Sequence, residues 1–524
     1  MTGTWVVVRG HLRTGWLGLL MWAGAMAALV TAIASGVASL YPTQEARDLY
    51  AATMGASPAG IAFNGRWHDL MTLGGIATYE IGFMGLLLLP PIALHLTISR
   101  TRTEEDSGRA ELLTAGRIGR LAPVAGGLVV VTLTAAVFAL LSFGGLVLVG
   151  LPRAGAGWYA GSLGLFVWWF GALGLVVAQV GRTARTAMGL GLAVALGMFL
   201  VRAVLDGRGI QAAWATPMGW LPEVRPFSGT PSPWPLAGFA VTGAVLVGAA
   251  GLIAARRDLG SGVLAPTPGP PRGSRLLGHP LGVAWRLTRG GALGWMLGLL
   301  VWGVAIGTLT GEMADLVRTN PGLAQLLGTG RPEDIVTALA AVVIALGGGA
   351  FGLQALGVLQ AEEATGRLAL LSAAPMARAR VWASWWIAIG AQVSAVVVAG
   401  SVGLGVTTGV VTDQTGALGD AMVAAGAYLP AILALVSLAA FAGTVVPAGL
   451  AVGWVLLAWT AVVALLADTL RLPEWSRRLS VLDQVGRVPI DPVDTLAVAV
   501  AGGAASLVLL AATGVGWVRD LRAG

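Results

Sequence analysis

Glu104–Arg120 reads EEDSGRAELLTAGRIGR, and Glu362–Arg378 reads EEATGRLALLSAAPMAR. Aligned without gaps at an offset of 258, the two stretches agree at eight of 17 positions: Glu104/Glu362, Glu105/Glu363, Gly108/Gly366, Arg109/Arg367, Leu112/Leu370, Leu113/Leu371, Ala115/Ala373 and Arg120/Arg378. Four of those pairs are charged in a chain where only 11% of residues carry charge, so shared apolar composition does not account for the match. Each copy describes a turn into a short amphipathic helix. Acidic residues are favoured at a helix start by the exposed N–H groups there, and an arginine forms two-pronged bonds to carboxylates.

Around these copies the chain is apolar. Of its 524 residues 56% are hydrophobic, and the mean hydropathy is +0.81. A soluble protein carries roughly 25% charged residues. Twelve segments reach the roughly 20 residues needed to cross a hydrocarbon core. They fall near 15–38, 72–98, 121–150, 158–180, 186–204 and 235–255, then near 291–311, 335–359, 381–409, 421–444, 446–467 and 494–517. Between the tenth and eleventh only Val445, Val446 and Pro447 suggest a break. Each charged copy follows the second span of a set of six. The Pro/Gly-rich run Pro266–Pro280 reads as a flexible linker. The expected organisation is a first six-span half over 1–255, a linker over 256–280 and a second half over 281–524. The fold class is an all-α integral membrane protein of twelve transmembrane helices, as two fused six-helix repeats in parallel orientation. Ahead of the first span, Trp5, Arg9 and Arg13 alternate with Val6, Val7, Val8 and Leu12, which predicts a segment lying in the membrane interface. Trp285, Arg286 and Arg289 stand in the same place before the seventh span.

Arginine placement gives orientation. The alternate segments that include both termini hold 20 arginines and eight acids, whereas the opposite face holds 12 arginines and 16 acids. That bias puts both termini in the cytoplasm. It also accounts for the net charge of +7 without nucleic acid, because the arginines sit in short loops rather than in one basic stripe.

Absences narrow the chemistry. The chain has no cysteine, and its four histidines lie far apart in sequence, so no metal site is expected. All 32 basic residues are arginine. Without lysine there is no phosphate-binding loop of the GxxxxGK[ST] type, and any ATP used must be bound by another polypeptide. No paired-acid constellation suggests an enzyme, and no catalytic residue is assigned.

Within the spans, Glu80 has no basic neighbour in sequence. A carboxylate there faces protein or a water-filled cavity. It could attract a cationic substrate, relay a proton, or simply bond to a neighbouring helix. Gln354 is a second candidate for the substrate pathway, although glutamines in spans commonly bond across helices. Gly348 and Gly352 stand at GxxxG spacing and mark a possible close helix contact.

The EExxGRxxLL element between second and third spans resembles the cytoplasmic coupling region of type-2 ATP-binding-cassette exporter permeases. The whole chain is similar to the fused twelve-span exporters of polyketide antibiotics (the tetronasin-resistance type), with Thr216, Pro217, Gly219, Trp220, Leu221 and Arg225-Pro226-Phe227 fitting that pattern. The resemblance implies the type-2 permease fold in a bacterial plasma membrane. It also implies two copies of a separate cytoplasmic nucleotide-binding subunit, which would hold ATP and magnesium. One copy would dock on Glu104, Glu105, Gly108, Arg109, Leu112 and Leu113, the other on Glu362, Glu363, Gly366, Arg367, Leu370 and Leu371. The function implied is ATP-driven export of hydrophobic or amphipathic compounds, as in antibiotic or multidrug efflux. Glu111 and Arg117 are replaced by Ala369 and Pro375 in the second copy, so the two docking sites need not be equivalent. The competing expectation is a proton-coupled transporter of the major facilitator type. That class shares the span count, but it calls for a GxxxDRxGRR-like signature where EExxGR stands.

Overall fold

The computed structural model describes residues 2–55, 58–263, 272–319, 332–368, 377–446, 449–466 and 473–518, and these are helical with no strand among them. The chain divides into two compact units, Met1–Gly269 and Pro270–Gly524.

In the first unit the long helices are α1 (Thr4–Leu40), α4 (Leu73–Ser99), α7 (Ala122–Leu148), α8 (Arg153–Val180), α9 (Ala184–Gly207) and α11 (Trp234–Arg256). Shorter helices join them: α2 (Gln44–Met54), α3 (Pro58–Asn64), α5 (Arg102–Asp106), α6 (Arg109–Thr114) and α10 (Pro217–Glu223). The second unit contains α12 (Pro280–Thr319), α13 (Pro332–Ala364), α14 (Arg378–Thr412), α15 (Ala417–Val445), α16 (Gly449–Leu466), α17 (Glu474–Arg477) and α18 (Thr495–Val518). Eleven helices among the described residues are long and apolar enough to cross a membrane; α16 is a shorter apolar helix in the place of the eleventh predicted span. The break before α16 falls as read, with Val446 in extended backbone. Pro447 lies outside the described residues.

Local chemistry sets these boundaries. Thr72 caps α4 by accepting from the Gly75 N–H at 3.0 Å, and Thr183 caps α9 by accepting from Thr186 at 3.2 Å. The segment before the first span is continuous with it, since α1 runs unbroken for 37 residues, about 55 Å along its axis, and α12 likewise begins at Pro280, ahead of the seventh span. No proline interrupts Thr4–Leu40, and Thr14, at the expected start of the span, donates its hydroxyl back to the Gly10 carbonyl at 2.9 Å within the helix instead of capping a new one.

Both units show the same neighbour pattern. The first long helix packs on the third and the fourth on the sixth, while the second packs against the first, fourth and fifth. The best-buried helices are α8 in the first unit and α13 in the second. Outer helices turn large apolar side chains outward, among them Leu140, Leu148, Val241 and Val245 in one unit and Val410, Leu507 and Leu510 in the other. Apolar belts of this kind belong against lipid rather than water.

Glycine decides the tightest contact. A Cβ on Gly303 would lie 2.7 Å from the Leu404 amide nitrogen, and one on Gly307 would lie 2.8 Å from the Leu404 carbonyl oxygen. From the other side, a Cβ on Gly403 would come 2.7 Å from the Leu300 carbonyl. Helices α12 and α14 therefore meet backbone to backbone, as small residues permit. Gly348 and Gly352, singled out by spacing, instead face the side chains of Val397, Val393 and Val436. We expect Gly307→Val to force α12 and α14 apart at a cost of roughly 1–3 kcal/mol. The thermal melting of the purified protein reads this directly, and an unchanged midpoint would contradict the close contact.

Candidate functional site

At the end of α4 the chain turns through α5 and enters α6 at Gly108, whose φ of +74° lies in the left-handed region. Glycine adopts that conformation without the Cβ clash other residues meet. Arg109 then folds back over the turn. Its Nε donates to Glu104 Oε2 at 2.7 Å and its Nη2 to Glu104 Oε1 at 3.1 Å. The second unit repeats this geometry after α13: Gly366 has φ +72°, and Arg367 donates from Nε and Nη2 to the two oxygens of Glu362 at 2.8 and 2.7 Å. Both arginine side chains stay largely in solvent, 61% and 57% exposed. The hydrogen bonds to Glu104 and Glu362, and then their charges, hold both guanidinium groups above their ordinary pKa.

Helix α6 presents Leu112 to solvent (79% exposed), whereas Ala110 on its other face is buried. Beside it lies a cleft of about 460 Å³ lined by Glu111, Thr114, Ile118, Arg120, Asp258 and Leu259. The loop after α6 rests on the chain start, where the Gly119 N–H donates to the Thr2 carbonyl at 2.8 Å. An exposed apolar side chain, a flanking cleft and fixed charge together make a surface suited to another protein. Leu370 and Leu371 lie outside the described residues, as do Ala369 and Pro375.

Glu105 departs from the sequence expectation. It is buried and points into the unit, while its neighbour Glu104 points out. Its Oε2 accepts from Arg102 at 3.0 Å and its Oε1 from Arg257. Arg102 is fully buried. It also donates to the carbonyls of Ser261 (2.7 Å), Gly260 (3.1 Å) and Arg182, and it lies 3.3 Å from Asp106. Arg257 reaches Gln179 Oε1 and the Ser261 carbonyl, both at 2.7 Å. Asp106 in turn accepts from the Ala184 amide at 2.6 Å. Two arginines and two carboxylates thus bind the end of α4 to the α8–α9 turn and to the segment after α11. Glu363 is buried too, but the position matching Arg102 is Gln360, so the two units are built differently here. Sequence reading missed Arg102, Arg257 and Gln179 as a group, since they are brought together only by folding.

The in-span candidates are placed as follows. Gln354 accepts from Trp295 Nε1 at 2.7 Å, a bond between α12 and α13. Glu80 lies in the first third of α4 and accepts from the Tyr50 hydroxyl. Arg202 is fully buried near the far end of α9, pairing Asp206 at 3.2 Å and donating to the carbonyls of Ala62 and Phe63 at 2.8 and 2.9 Å. Its sequence signal was an Arg and an Asp four apart in an apolar helix. The Arg225-Pro226-Phe227 motif has a packing role: the Phe227 ring fills the space a Cβ would take at Gly74 of α4 and Gly155 of α8. Among the described residues no group of three or more metal-ligating side chains occurs.

These features define a helical integral membrane protein of many spans with a structured, partly exposed element after the second long helix of each unit. The family profile described as multidrug efflux system permease Rv1217c, C-terminal domain, matches residues 277–517, which lie in the second unit. The chain is also 31% identical over 488 residues to the multidrug efflux system permease protein Rv1217c of Mycobacterium tuberculosis (strain ATCC 25618 / H37Rv), covering 89% of this chain and 85% of that protein. The chain belongs to the Rv1217c family of permeases. That family, rather than the tetronasin-resistance exporters, is the one its sequence matches.

Proposed function

We propose that this chain is the transmembrane permease subunit of an ATP-binding-cassette exporter, moving hydrophobic or amphipathic compounds out of a bacterial cell. It binds no ATP itself. Two copies of a cytoplasmic nucleotide-binding subunit, each carrying ATP and magnesium, dock on the elements at 104–113 and 362–371. Both termini then lie in the cytoplasm, and the units are the two permease halves of an internal repeat. The observation that carries this reading is the pair of matching turns, each with an arginine folded back over a left-handed glycine onto a glutamate five residues earlier. Support comes from the efflux role in the name of the Mycobacterium tuberculosis relative and from the absence of any lysine for an ATP-binding loop.

In this assembly the exposed Arg109–Glu104 and Arg367–Glu362 pairs face the ATPase. The inward cluster around Arg102 passes the movement of the first element to α4, α9 and α11 together. The test is biochemical. The purified chain alone should hydrolyse no ATP, and co-expression with its nucleotide-binding subunit should give a complex whose hydrolysis is stimulated by amphipathic drugs. Intrinsic ATP turnover by the chain alone, or failure to co-purify any such subunit, would overturn the reading.

A further inference from the structure

Five carboxylates of the first unit are buried or half-buried: Glu80, Glu104, Glu105, Asp206 and Glu223. Four of them pair with arginine. Glu104 takes Arg109, Glu105 takes Arg102 and Arg257, Asp206 takes Arg202, and Glu223 takes Arg225 at 3.0 Å. Glu80 alone has no cationic partner among the described residues; its one hydrogen-bond donor is the Tyr50 hydroxyl, on Oε1. A carboxylate inside a membrane span is costly unless something compensates it.

Through Tyr50, Glu80 adjoins a cluster of tyrosines. The whole chain has five tyrosines, and three of them gather here. Tyr41 and Tyr50 meet edge to face with centroids 4.9 Å apart, and Tyr50 and Tyr79 do so at 6.1 Å. Tyr50 and Tyr79 are buried, while Tyr41 and the glutamate are half-buried. Tyr50 belongs to α2, a short helix separate from α4, so the hydroxyl donor and the carboxylate sit on different elements. A carboxylate beside several aromatic rings attracts a large, weakly hydrated cation, through its charge and through the ring faces. A small metal ion would want more oxygen ligands than one carboxylate offers.

We propose that Glu80, with Tyr41, Tyr50 and Tyr79, is a binding site for lipophilic organic cations, the missing counter-charge being supplied by the ligand itself. The cation displaces the Tyr50 hydroxyl and rests against the three rings. This deepens the exporter reading and rests on it, giving one class of transported compound: amphipathic molecules with a quaternary ammonium or phosphonium centre.

Equilibrium dialysis of the purified chain with tetraphenylphosphonium tests this without partner or transport. Wild type should bind the cation, Glu80→Gln should weaken binding at least tenfold, and Glu80→Asp should retain most of it. Triphenylphosphine, a neutral analogue, should bind wild type and Glu80→Gln alike. Should Glu80→Gln fail to fold, wild type alone suffices: tetraphenylphosphonium should protect Glu80 from carbodiimide labelling, read by mass spectrometry. Equal cation affinity in wild type and Glu80→Gln, no binding to wild type, or labelling of Glu80 unaffected by the cation would overturn the site. Binding as expected in a protein whose complex exports nothing would count against the exporter reading and leave the site standing.

Discussion

The double variant Arg109→Ala/Arg367→Ala is expected to reach the membrane in normal amount and to export nothing above the background of cells lacking the protein. Each arginine makes a two-pronged bond to a glutamate at the surface, and exposed pairs of this kind contribute only about 0–1 kcal/mol. Folding therefore survives their loss. What does not survive is the shape of the turn, because the pair closes the loop around Gly108 and Gly366 and fixes the direction in which the residues after each glycine leave. If a nucleotide-binding subunit grips these turns, its hydrolysis in the presence of the variant should fall to the rate of the free subunit. The decisive measurement is drug efflux from cells alongside the membrane level of the protein. Efflux at the wild-type rate with both arginines gone would mean that the turns transmit nothing.

Most of the architecture was legible because a bilayer makes severe demands on composition. Each predicted span has its helix, and the described ends of the first-unit spans from α4 to α11 fall within a few residues of their apolar limits, since charge and caps such as Thr72 and Thr183 stop them. Helices α1 and α12 begin well ahead of their expected starts, because the arginine-bearing stretches before both spans continue as helix. The glycine contact at Gly303 and Gly307 was not legible among so many glycines, because what singles it out is the opposing backbone of α14, a matter of tertiary packing. The matched turns were legible through charge in an apolar chain, but their two faces were not. Glu104 and Glu105 are adjacent, identical in type and duplicated together. Their opposite directions depend on where α5 begins and on partners 152 residues away, such as Arg257.

That difference yields the sharpest expectation for the pair. Glu104→Gln removes a surface partner of Arg109 and should leave the melting midpoint within a degree or two of wild type. Glu105→Gln removes the one carboxylate that lies between Arg102 and Arg257, and Arg102 has no access to water. Arg102 is then left with Asp106 and carbonyls, and Arg257 with Gln179 and carbonyls, with no carboxylate between the two guanidinium groups; breaking a buried pair in this way costs about 3–5 kcal/mol. For a unit of this size the loss corresponds to a fall of roughly 5–10 °C in melting temperature. The same glutamine also loosens the joint between the end of α4 and the segments before α9 and after α11, so transport should fall even where the variant is held folded at low temperature. Differential scanning fluorimetry of the two variants side by side decides the matter. Similar melting for both would show that the inward cluster holds nothing together, and the first element would then have to act on α4 alone.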